Sequence, residues 1–186
     1  MLYKYKSSDP LSCEKPKGFL IDLDLAKYIG PTPTPATSTS GSFRRRTGTM
    51  FFMAIEILKG THLRHSWRHD LESFFYVLIW LCVTAPTDSY PEAKTMMEQK
   101  WGCGNAAREK LAQVTQEEDW DDMVGLFAPS MSGGNAENVL CGWRQVLFPA
   151  KLGGFGVVTG EEGRDRGEVY DKMIQILEQE LLRLST

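Results

Sequence analysis

The sequence predicts a mainly α-helical domain, and three observations lead there. Apolar residues recur at steps of three and four through most of the chain after residue 70, which is the helical period. The run from Phe74 to Val83 is apolar almost without interruption, the pattern of a helix at the centre of a core. Stretches that suit a strand are nearly missing: Phe19 to Ile21 is the one short segment that reads that way.

Composition supports a folded chain. Of its 186 residues 42% are hydrophobic and 24% charged, a globular balance rather than a disordered one. Twenty-one basic and twenty-four acidic side chains leave a net charge of -3. Binding through bulk phosphate neutralisation needs a basic face, so no nucleic-acid partner is expected. The longest apolar run is half of the roughly 20 residues that span a bilayer, and the first residues show no apolar signal segment. No membrane partner is therefore expected, and the expected compartment is the cytoplasm or nucleus. Cysteines at 13, 82, 103 and 141 form no C-x-x-C pair, which favours reduced thiols over structural zinc.

Along the chain, residues 1–17 read as a flexible lead-in and 18–186 as the folded unit. Gly18 to Ala26 is apolar apart from Asp22 and Asp24. Burying a carboxylate costs several kcal/mol unless it is paired or bound to a cation, so two at the end of a strand need explaining. Pro31 to Ser42 is rich in Pro, Thr and Ser with little to bury, and 31–46 should be the least ordered internal segment. Arg44, Arg45 and Arg46 follow, a run that is ordinarily a solvated charge cluster. Thr47 to Leu58 suits a turn leading into a short helix.

Residues 59–69 form a basic loop with all three histidines, His62, His65 and His69, a spacing at which loop histidines are usually unliganded. Asp70 suits the N-cap of a central helix, 70–83, accepting from the N–H of Glu72 or Ser73. With apolar residues all round, Phe74, Phe75, Leu78 and Leu81 should be close to fully buried. Amphipathic helices are expected at 91–101, 105–114, 118–128 and 136–148, a turn at Gly153–Gly156, and a last helix at about 167–184. The last helix repeats Val169, Met173, Ile176, Leu177, Glu180 and Leu184 at steps of three and four, with Glu180 the polar interruption.

Order and spacing carry the chemistry. Leu20-Ile-Asp22-Leu-Asp24-Leu-Ala26 leads through the Ser/Thr-rich loop to Gly48-Thr49 and Ala54-Ile55-Glu56, and His69-Asp-Leu-Glu-Ser-Phe-Phe opens the apolar helix. This series resembles the C-terminal lobe of a protein kinase from its magnesium-binding D-F-G motif onward, most of all the fungal-type family, where D-[LF]-D-L-A replaces D-F-G-L-A. The resemblance covers 19–83 well and the later helices more loosely, and implies a kinase-like, incomplete C-lobe with an activation-loop-like segment at 25–53 and a helical remainder at 91–186. It implies that Asp22 is the magnesium ligand, with Asp24 a second candidate carboxylate where the family-wide glycine stands. By the same resemblance Thr49 precedes the substrate-facing loop, Glu56 is the A-P-E glutamate that usually pairs with an arginine, and Asp70 is the aspartate that holds the catalytic loop. Magnesium and ATP are the cofactors of the complete family. Asp22 and Asp24 read without the resemblance are loop carboxylates past a strand, and Glu56 a surface acid favoured by a helix dipole.

Other kinase motifs do not occur in these 186 residues. Protein kinases place H-R-D-x-x-x-x-N ahead of D-F-G, supplying a general base and a metal-binding asparagine. Ahead of Asp22 there is one aspartate, Asp9, and neither histidine nor asparagine. There is no Gly-rich phosphate loop and no V-A-I-K strand. Arg68-His69-Asp70 has the wrong order for H-R-D and leads straight into a core helix. Two readings follow: part of a truncated Ser/Thr protein kinase acting on protein hydroxyls, or a non-catalytic kinase-like module that binds a protein substrate or regulator. On either, the chain alone is expected to need no cofactor. Thr47 and Thr49 beside the arginines could carry regulatory phosphates, though Ser/Thr-rich loops are commonly just flexible.

Overall fold

The computed structural model describes residues 50–60, 65–85, 91–152, 156–160 and 163–185. A 3-10 turn, Met50–Phe52, leads into seven helices: α1 (Ile55–Lys59), α2 (Trp67–Val83), α3 (Pro91–Trp101), α4 (Ala106–Thr115), α5 (Glu117–Val124), α6 (Asn135–Leu147) and α7 (Arg166–Leu184). Among the described residues there is no sheet, only an isolated antiparallel bridge between Ala150 and Val157. The mainly helical reading therefore stands. The strand expected at 19–21, the loop at 31–46 and most of the turn at 153–156 lie outside the described residues.

Local chemistry sets the element ends. Gly60, at φ 68°, closes α1 by turning left-handed and donating its N–H to Ile57 O. α3 opens on Pro91, where a missing N–H costs nothing. Asp165 caps α7, its carboxylate accepting from Glu168 N–H at 2.8 Å. α4 and α5 meet at the single residue Gln116. That corner is braced by Arg144 of α6, which pairs with Glu117 through two bonds of 3.0 and 3.1 Å, donates to Val114 O at 3.2 Å and lies 4.7 Å over the Trp120 ring.

α2 lies in the middle, packed on α6 and on the 3-10 turn, while α6 packs along α7. Phe75 is wholly buried among the rings of Tyr76, Trp120 and Phe148. Two expectations for this helix need correcting. It begins at Trp67, three residues before Asp70, because Ser66 is the N-cap and its N–H donates to His69 Nδ1 at 3.0 Å. This is a capping-box bond with histidine in the usual place of glutamate. Of the four residues expected to be buried, only Phe75 is: Leu78 is half-buried, and Phe74 and Leu81 are 56% and 51% exposed. The described neighbours cover one side of α2, and that side is filled by Arg68, His69, Glu72, Tyr76, Ile79, Cys82 and Val83. Among the described residues no helix is long and apolar enough to cross a membrane.

Candidate functional site

Residues four apart stack on one helix face, so α2 presents Arg68, Glu72 and Tyr76 in line, all essentially inaccessible. On a solvated helix such an ion pair is worth tenths of a kcal/mol, ~0.3–0.5; here it is the centre of a buried hub. Glu72 Oε2 accepts from the Arg68 guanidinium, and Oε1 accepts from the Ile55 N–H at 2.8 Å and the Tyr76 hydroxyl at 2.9 Å. Arg68 also donates to Leu147 O at 2.8 Å and Val158 O at 3.5 Å, with its guanidinium 5.1 Å over the Phe148 ring. One charge pair thus joins α2 to the start of α1, the end of α6 and the loop after it. Burial, then the Glu72 charge, pushes the Tyr76 hydroxyl well above its ordinary range, so it stays a protonated donor.

α4 contributes Lys110, also fully buried. Its Nζ donates to Phe51 O and Met53 O, both at 2.8 Å, and lies 3.8 Å over the Tyr76 ring and 4.9 Å over Trp101. Two carbonyls and two ring faces stand in for water. Burial pulls this amine down to about 7, with the Glu72 charge acting the other way. Below that value the folded chain bears the whole cost of a buried ammonium. Between about 7 and the ordinary lysine range the unfolded chain binds more protons, so stability rises with pH there. Urea titrations from pH 7 to 9.5 should show wild type gaining stability and Lys110→Met gaining much less. Parallel profiles would mean that the ammonium is solvated.

The hub's rim is built around Glu56. Because Ser66 N–H donates to His69 Nδ1, the ring proton sits on Nε2, which donates to Glu56 Oε2 at 3.1 Å. Thr159 Oγ1 donates to Oε1 at 3.2 Å. A Cβ at Gly160 would lie 3.0 Å from that same oxygen, so glycine permits the approach. Glu56 sits in the first turn of α1, where the dipole favours a carboxylate.

Of the residues singled out from sequence, the structure places Glu56 in this site and leaves Asp70 out of it. Asp70 is exposed and its Oδ1 meets His65 Nε2 at 2.8 Å, so the expected cap at Asp70 is overturned: Ser66 already holds that position. Asp70→Asn should shift the unfolding free energy by less than ~1 kcal/mol, as for an exposed ion pair. A larger loss in urea melts would show that the carboxylate holds something buried. Asp22, Asp24 and Thr49 lie outside the described residues. Among those described, no group of three or more His, Cys, Asp or Glu is placed to hold a metal ion. His65 and His69 do stack edge to face at 5.5 Å, but their Nε2 atoms turn to Asp70 and Glu56.

Sequence reasoning missed Arg68, Glu72, Tyr76 and Lys110. A helix start at Trp67 rather than Asp70 would have given a signal for two of them, Arg68 and Glu72: opposite charges four apart on a buried helix must pair with each other. Lys110 offered none.

The sequence profile of the family described as Fungal protein kinase matches residues 1–82. That span ends within α2 and takes in Asp22, Asp24, Thr49, Glu56 and Asp70 together with Arg68, His69, Glu72 and Tyr76. No curated protein and no solved structure matches the chain. Over residues 1–82, somewhat less than half of its length, the chain is similar in sequence to the fungal protein kinase family.

Proposed function

We propose that the chain supplies the substrate-side part of a fungal-type Ser/Thr protein kinase C-lobe, with residues 50–56 as the rail along which a protein substrate is aligned. The observation that carries this is the hub beneath the rail. Lys110 and Glu72 bind main-chain groups of alternate residues, Phe51 O, Met53 O and Ile55 N–H. Hydrogen bonds from buried side chains to alternate residues hold this backbone in place, and substrate alignment rewards rigidity at this scale. In the complete family the transferred group is the ATP γ-phosphoryl, and Asp22, with Asp24 as a second carboxylate, would hold the magnesium that neutralises the phosphates. The 186 residues contain neither the general base nor the nucleotide lysine, so positioning and charge stabilisation are both wanting in the chain alone.

Radiolabelled ATP with generic protein substrates tests this in two arms. The isolated chain should incorporate no label above an Asp22→Ala control. A fusion that places the nucleotide lobe and catalytic loop of an active fungal-type kinase ahead of residue 18 should incorporate label, and Asp22→Ala should lower it at least tenfold, about 1.4 kcal/mol in barrier. Turnover by the isolated chain would overturn the first statement. A folded but inert fusion would favour the non-catalytic binding module.

A further inference from the structure

α7 carries two apolar stripes, and α6 covers only one. Val169, Met173 and Glu180 are buried against α6, and Ile176 lies so close to Gly142 that a Cβ there would come within 3.0 Å of it. Trp143 Nε1 donates to Met173 O and Asn138 Nδ2 to Glu180 Oε2, each at 3.1 Å. One residue further round, Tyr170, Ile174, Leu177, Leu181 and Leu184 follow one another at steps of four, three, four and three. That alternation is the seam of a helix that pairs with another helix. Leu177 is half-buried and Tyr170 meets the Trp67 ring of α2 at 5.9 Å, while Ile174, Leu181 and Leu184 are 49%, 59% and 70% exposed, and Leu182 beside them 69%. Half of the large hydrophobics exposed among the described residues sit on this one helix, too concentrated for the ordinary scatter of surface apolar groups.

Charge selects the occupant. The open edge of the seam is lined by Asp171 and Glu178, both exposed, and of the cations nearby Lys172 is turned to Glu168 at 2.6 Å and Arg183 to Glu180 at 2.5 Å. A second copy of this chain in antiparallel pairing would set the Asp171–Glu178 edge against its own carboxylates. An anionic bilayer would be repelled likewise. We propose that this seam binds an amphipathic helix of another protein, one whose apolar a and d residues are flanked by lysine or arginine.

The probe is a fluorescein-labelled 21-residue peptide with Leu at a and d and Lys at e and g, compared by anisotropy with a twin bearing Glu at e and g. The full chain should bind the Lys peptide at least tenfold more tightly. Asp171→Lys with Glu178→Lys should reverse the preference, and Ile174→Ser with Leu181→Ser should abolish binding while circular dichroism stays unchanged. Equal binding of the two peptides, or indifference to the Ser pair, would overturn the proposal. So would sedimentation showing a dimer of the chain that the Ser pair dissolves, which would give the seam to a second copy. None of these outcomes depends on phosphoryl transfer, so the proposal stands or falls apart from the kinase reading.

Discussion

Glu72→Ala is expected to lower stability by about 3–5 kcal/mol, because it leaves a buried guanidinium without its counter-charge. The same change orphans the Ile55 N–H and the Tyr76 hydroxyl, each bonded to Oε1. Glu72→Gln separates charge from hydrogen bonding. It keeps one oxygen to accept but removes the charge, and its loss should fall between wild type and Ala. Arg68→Met tests the partner. It leaves the Glu72 carboxylate without its counter-charge but still accepting from the Ile55 N–H and the Tyr76 hydroxyl, and it removes a cation whose Nε already lacks a hydrogen bond, so the loss should be smaller than for Glu72→Ala. Urea melts of the three variants with Arg68→Met/Glu72→Ala complete a cycle, and its coupling should exceed about 1 kcal/mol. A loss below 1 kcal/mol for Glu72→Ala would show that water reaches the pair.

Phe75→Ala should cost a similar ~3–5 kcal/mol, by a different mechanism: the cavity left where a fully buried ring met Tyr76, Trp120 and Phe148. Phe74→Ala is the control. The same substitution one residue earlier removes a ring that is more than half exposed, and should cost under ~1 kcal/mol. Near-equal losses would mean that both sides of α2 are covered in solution.

The helices after residue 90 were legible from sequence because amphipathic spacing and Gly or Pro breaks mark them directly; α3 runs over 91–101 as expected, and the rest begin or end within a few residues of the reading. α2 was harder. Asp70 is a good cap by residue type, but Ser66 is also one, and the reciprocal bond from its N–H to His69 decides between them. That choice draws Trp67, Arg68 and His69 into the helix. Apolar identity put Phe74 and Leu81 in the core, yet identity does not say which neighbour covers a residue. The hub was least legible. Arg68 and Glu72 have the spacing of a solvated helix pair, and Lys110 lies 57 residues from Met53. Of the residues that build the site, Glu56 was the one singled out from sequence, through the motif around it.

The bond from Thr159 to Glu56 spans 103 residues, and that from Arg68 to Leu147 spans 79. On the ribosome, at roughly 5–20 residues per second, Glu56 leaves the tunnel about 5–20 s before Thr159 does. Over that interval Arg68, Glu72 and His69 must remain hydrated, since the strands of chain that enclose them have yet to be made. The charges of Arg68 and Glu72 keep the nascent α2 wet while its Phe74-to-Val83 half is already adhesive. The same two residues that lock the finished domain therefore act first as solubilisers, and replacing both with apolar side chains would trade a folding delay for a tendency to clump during translation.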